Sequence, residues 1–202
     1  MTLILTPPAV LSYPALIKPR LGPNPRPGQE AVYSATLVFL KDADLKPLKD
    51  AAMSALIDRF GADDVKKMLQ STPPKIRIPF RSDADKYDAE KYGIFINVTN
   101  KSKPGLVNRY AGSDGKPAPL DAEKFYPGCF VKAALSVYVY DQSGNKGVAF
   151  GLQHLQWWAD GERLDSRVNA SDAFTAEARP EGDLGAFGAK AEPGANLSDL
   201  LN

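Results

Sequence analysis

Hydrophobic and polar positions change period several times along the chain, and each change predicts an element. Residues 31–40 (AVYSATLVFL) are rich in β-branched and aromatic side chains with no breaker, which predicts a strand. Leu48, Ala52, Leu56 and Phe60 then recur four residues apart, on one face of a helix. Asp44 stands where that helix needs an N-terminal cap, and Pro47 falls in its first turn, where a missing N–H is tolerated. Gly61 is placed to end it, and ADDVKKML supplies a second short helical piece. After Pro73 and Pro74 the chain alternates: Ile76, Ile78 and Phe80 lie on one face, Lys75, Arg77 and Arg81 on the other. Residues 93–99 (GIFINVT) form the next strand.

The clearest local signal is a hairpin. Residues 129–140 and 147–158 are long β-rich runs joined through 141–146, where Gly144 and Asn145 accept the positive φ of a tight turn. On its first strand Val131, Ala133, Leu135, Val137 and Val139 make an apolar face, and Phe130, Lys132, Ala134, Ser136, Tyr138 and Tyr140 make the opposite one. Trp157 and Trp158 are neighbours, so one points to the core and the other away from it. Residues 18–30 (KPRLGPNPRPGQE) are dense in Pro and Gly and predict an exposed loop, as does AGSDGKPAP further on. The whole is mainly β with a helical insert at about residues 44–70, and no internal repeat interrupts that order.

Composition narrows the picture. A chain of 202 residues, 44% hydrophobic and 24% charged, suits one globular domain with a tail. No apolar run approaches the roughly 20 residues of a membrane helix. The opening MTLILTPPAVLSYP lacks a positive start and is interrupted by Pro7 and Pro8, so no secretory signal is expected. A single cysteine, Cys129, excludes an internal disulfide and suits a reducing cytoplasm; it reads as a small buried hydrophobe. The formal net charge of +1 conceals an asymmetry: from Glu177 onward five acids face Arg179 and Lys190, a net −3 that leaves +4 on residues 1–176. Residues 177–202 are also rich in Gly, Ala and Pro, which predicts a flexible, mildly acidic tail. That tail is either a frayed end or a segment that competes with a polyanion for the basic surface and recruits a partner through its tip, LSDLLN.

Cations interleaved with aromatic rings are what an unstacked nucleic-acid strand requires, because its phosphates need charge and its bases need rings to stack on. Adjacent strands supply both: Lys75, Arg77 and Arg81; then Phe95, Lys101 and Lys103; then Phe130, Lys132, Tyr138 and Tyr140. The same pattern fits an ordinary solvated sheet face, or a closed barrel with the tyrosines packed beneath the helix. Enzyme signatures are missing. One His and one Cys cannot build a multi-ligand zinc site, and no Walker loop, GxSxG or dinucleotide fingerprint occurs. A Cys129–His154 dyad has no local motif behind it, and His154 reads as a surface or half-buried hairpin residue. Asp83, Asp85, Asp88 and Glu90 alternate with Lys86 and Lys91 and read as a solvated charge run rather than a metal site.

Three segments carry a resemblance: IRIPFRSDADK, GIFINVTNKSKPGLV, and FYPGCFVKAALSVYVYDQSGNKGVAFGLQHLQWWADGERL. In this order they resemble a family of bacteriophage and prophage proteins, formerly a family of unknown function, that is associated with single-stranded-DNA binding on an OB fold. The likeness runs from about residue 30 to 175 and matches Lys101, Pro104, Gly105, Tyr126, Lys132, Tyr140, Asn145 and Lys146. It implies an OB-type antiparallel β-barrel with a helical insert over residues 1–176. It further implies a protein that protects single strands during phage replication or recombination in the host cytoplasm, with no cofactor and no catalytic residue. Replication or recombination proteins are expected partners through the tail, no membrane partner is expected, and a homo-oligomer is left open. Two other readings stand beside it: a virion or assembly protein using the barrel for protein contacts, and a strand-annealing or nuclease-accessory protein.

Overall fold

The computed structural model describes residues 3–22, 25, 27–142 and 144–164. In chain order the elements are β1 (Ile4–Leu5), β2 (Ala9–Arg20), β3 (Val32–Leu40), α1 (Lys46–Phe60), α2 (Ala62–Gln70), β4 (Ile76–Arg77), β5 (Tyr92–Asn100), β6 (Gly105–Ala111), β7 (Pro117–Pro119), β8 (Phe130–Gln142) and β9 (Asn145–Ala159). Five of the strands close into a ring: β2 pairs β3, β3 pairs β5, β5 pairs β9, β9 pairs β8, and β8 returns to β2. This is a mainly β, OB-like barrel with two helices inserted between β3 and β5. Most pairs are antiparallel, as expected. The parallel ones lie on one edge of β9, which is long enough to take β4 at Lys146–Gly147, β5 at Phe150–Gly151 and β6 from His154 to Trp157 in succession.

The alternation read from the hairpin sorts as predicted. Val131, Ala133 and Leu135 are buried with Val148, Phe150 and Leu152 inside the ring, and Trp157 packs against this core. From β3 and β5 come Leu37, Phe39, Ile96 and Val98, and α1 adds Leu48, Ala52 and Leu56. The N-cap position of α1 is Leu45 rather than Asp44, whose carboxylate accepts the Lys46 N–H at 2.9 Å from one residue earlier, and Gly61, at φ 83°, separates α1 from α2. Cys129 is fully buried, and burial pushes its thiol up to about 12.

Three expectations need correction. Residues 18–20 belong to β2 rather than to a loop, because β2 carries its prolines, Pro14 and Pro19, inside intervals where its register with β3 shifts. Of the run 75–81 only Ile76 and Arg77 pair as a strand; Ile78 is 48% exposed, and Arg81 makes an isolated bridge to Phe95. The segment AGSDGKPAP contains β7, which pairs with β6. The expected tail, residues 177–202, lies outside the described residues.

Candidate nucleic-acid interface

Outward-facing residues of the ring are small and uncharged along two neighbouring rows. Register puts Ser34 of β3 beside Thr99 of β5, Thr99 beside Gly151 of β9, and Gly151 beside Ser136 of β8. One pleat away, Ser12 of β2 faces Thr36, Thr36 faces Asn97, and Ala149 of β9 faces Tyr138. The rows form a band across the strands, from β8 over β9, β5 and β3 to β2. Its floor stays low for a steric reason: a Cβ on Gly151 would stand 2.5 Å from Ser136 Oγ and 3.8 Å from the Tyr138 ring. Thr36 Oγ1 donates to Asn97 Oδ1 at 2.8 Å, and Gln153 Nε2 donates to Ser136 Oγ at 3.0 Å, so the floor is fixed by its own hydrogen bonds.

The band has a rim of different chemistry on each side. On one side segment 82–92 lies over Val10, Val38 and Phe95, with Tyr87 packed 5.4 Å from the Phe95 ring. Burial raises the Tyr87 hydroxyl above its ordinary range, and it donates to Ser12 Oγ at 3.2 Å. Asp83 and Asp88 serve turns in this segment, accepting the N–H groups of Asp85 and Glu90. On the other side stand Val32, Lys101 and Gln153, which with Tyr138 line a groove of about 390 Å³. Tyr138 is 45% exposed there. Lys101 pairs with Glu30 at 2.5 Å, and that ammonium holds the exposed Glu30 carboxyl below its ordinary range.

The ten residues picked out by alternation do not share one surface. Tyr138 and Lys101 stand at the band. Lys75 and Arg77 border a separate cleft near the β8–β9 turn, beside Lys146. Tyr140 packs on Gly147 next to them, where a Cβ would stand 2.6 Å from the ring, and is half-buried. Phe95 is corrected: it is 8% exposed beneath Tyr87 and is closed to a stacking base. Phe130 packs half-buried against the Val10, Val38 and Phe95 cluster, away from the groove with Tyr138 and Lys101. Arg81 is exposed at its bridge to Phe95, and Lys103 is exposed in the turn after β5. Lys132 shares the outer face of β8 with Tyr138, but six residues, about 20 Å of strand, separate them. A tilted barrel strand turns such distant positions to different sides.

The fold comparisons agree with this architecture. The single-stranded-DNA-binding protein of bacteriophage Enc34, solved in complex with single-stranded DNA, superposes with a TM-score of 0.55 at 19% identity, over 81% of this chain and 89% of that one. The bacteriophage T7 single-stranded-DNA-binding protein gp2.5 superposes with a TM-score of 0.50 at 17% identity, covering 83% of this chain and 97% of that one. Protein p50 of Acyrthosiphon pisum secondary endosymbiont phage 1 is 27% identical over 161 residues, 75% of this chain and 80% of its own length. The family model described as Enterobacter phage Enc34, ssDNA-binding protein, matches residues 2–184. The chain belongs to this family.

Within this Enc34-family chain several residues escaped the alternation pattern. Arg109 and Tyr110 lie on β6, and Arg109 sits 4.4 Å over the Trp158 ring while donating to the Trp158 carbonyl at 3.1 Å. Lys132 covers Trp158 at 3.8 Å. Trp158 is therefore the outward member of the tryptophan pair, held between two cations. Ser34 and Thr36 lie outside the segments that carry the resemblance, and Asn97, Thr99 and Gly151 lie inside them without standing out. Their signal is an absence: the outward positions of 32–38 and 97–99 carry no charge, unusual for a solvated sheet face.

Proposed function

We propose that this protein binds single-stranded DNA with little sequence preference, laid across the strands of the barrel along the small-residue band, during phage DNA replication or recombination in the host cytoplasm. The supporting observation is the band itself: a low, uncharged floor that is accessible at Ser34, Asn97 and Thr99 and buried at Ser136, Thr36 and Ser12, with an exposed ring, Tyr138, and a cation, Lys101, at its rim. A floor without long side chains lets bases approach the sheet. A rim ring needs a free base face, which a stacked duplex does not offer. Lys132, Arg77 and Arg109 supply further charge for phosphates outside the band.

The reading is of a binding protein with no covalent chemistry. The Cys129 thiol is buried and protonated, while His154 is exposed with its ring against Gly105. No helix among the described residues is long and apolar enough to cross a membrane. The acidic segment 177–202, net −3, serves in this reading to engage replication or recombination partners. Fluorescence anisotropy of labelled oligo-dT and a matched duplex at two salt concentrations tests the function. Tighter binding to dT that weakens as salt rises is expected, with a log–log slope of about −0.7 per neutralised phosphate. Folded protein that ignores dT at low salt would refute it.

A further inference from the structure

The band does not stop at β3. Its last member, Ser12 on β2, is 3% exposed beneath the Tyr87 hydroxyl, and the next residue, Tyr13, is the non-glycine with positive φ among the described residues, at φ 46°. That conformation is costly for a residue with a side chain and is met without penalty by glycine. It sits where the β2–β3 register shifts between Ser12 and Ala15, so the strain comes from a bulge. The bulge turns the ring outward, where Tyr13 is 65% exposed and adds nothing to the core. Lys86 Nζ lies 4.5 Å from the ring centroid, reached from segment 82–92. The ring and the ammonium border a cleft of about 290 Å³ together with Ser12, Tyr87, Pro127 and Leu164. Strain of this kind persists where the surroundings over-determine it and concentrates at ligand sites.

We propose that Tyr13 and Lys86 form a second nucleotide subsite, at the opposite end of the path that begins at Tyr138 and Lys101. The ring stacks a base, and the lysine takes the adjacent phosphate. This rests on the single-strand reading above and gives it a direction and a length. From β8 to β2 the path crosses four inter-strand gaps, about 19 Å at the usual sheet spacing. A short oligonucleotide therefore occupies one end only, and a longer one ties both together.

The test uses the full chain and dT oligonucleotides of about 4 and about 12 nucleotides, within the span of one OB fold. In the unmutated protein affinity rises with length. Tyr13→Gly fits the backbone angle, so its Tm is expected to hold or rise, while its affinity for the longer oligonucleotide falls about 5- to 150-fold and the gain with length is lost. Tyr13→Phe, which keeps the ring, restores the gain. Lys86→Ala, a change at an exposed position, weakens the longer complex and reduces its salt slope by about 0.7. Tyr13→Gly that binds both lengths like the unmutated chain overturns the subsite, as does Tyr13→Phe that binds as poorly as Tyr13→Gly. Unmutated protein that binds no dT overturns the single-strand reading and this one with it, a result read before any variant is made.

Discussion

Replacing Tyr138 by alanine removes the one exposed ring at the rim of the groove with Lys101. Its structural cost is small. The residue is 45% exposed, and changes at such surface positions are ordinarily within about 0.5 kcal/mol. Its cost to binding is larger, because a base stacked on one ring contributes about 1–3 kcal/mol. At 1.4 kcal/mol per tenfold, Tyr138→Ala weakens the dT complex about 5- to 150-fold. Anisotropy at fixed salt gives the Kd ratio, and a thermal melt confirms the fold. The ring carries no charge, so the salt slope of the variant should match the original even as its affinity drops. Gly151→Val attacks the same place from the floor, since its Cβ alone would meet Ser136 Oγ at 2.5 Å and crowd Tyr138. A Tyr138→Ala protein with an unchanged melt and a Kd within about twofold of the original would refute the stacking assignment.

Further outcomes follow from the same geometry. Lys101→Ala should reduce the salt slope by about 0.7, and Glu30→Gln, which frees Lys101, should tighten dT binding at low salt; equal slopes in all three proteins would place Lys101 off the path. Because Lys101 holds the Glu30 carboxyl below its ordinary range, the pair survives mild acid, and dT affinity should gain nothing from losing that carboxylate until the pH falls below about 4.3. Cys129 should react with a thiol reagent only after denaturant is added. Its folded thiol ionises near 12, whereas an unfolded thiol ionises near 8.5, so stability is full below that lower value and declines as pH rises between the two; urea midpoints at pH 8 and pH 10 measure it. Leu56→Ala should lose about 2–5 kcal/mol in urea denaturation, as Leu56 is 1% exposed under α1, and a loss below about 1 kcal/mol would mean that this helix face does not pack on the core.

Local periodicity carried much of the fold. The inner face of β8, the buried stripe of α1 and the opposed tryptophans are each consequences of a two-residue or 3.6-residue repeat, which neighbouring side chains express without help from the rest of the chain. Strand β2 defeated the same reading because Pro14 and Pro19 mark loops elsewhere and are tolerated here only at register shifts. Phe95 defeated it differently: alternation placed it outward correctly, but segment 82–92, distant from β2 and β3 in sequence, folds over that outward face and closes it.

What the sequence by itself determined is therefore β3, the helical insert, β5 and the β8–β9 hairpin, the side of β8 that faces the core, and a family resemblance that implies a barrel. Which outward residues stand together was decided only by the tertiary structure. The band from Ser136 to Ser12 draws one or two residues from each of five strands, and its alignment depends on the register of four separate pairings. Shift one pairing by a residue and the row breaks, although every strand keeps its pattern. Closure of the ring also gives Phe130 and Tyr138, on one face of one strand, different neighbours: Val10, Val38 and Phe95 for the first, Lys101 and Gln153 for the second. Periodicity is a local property and is legible in the chain; register and closure are properties of pairs of strands far apart in it.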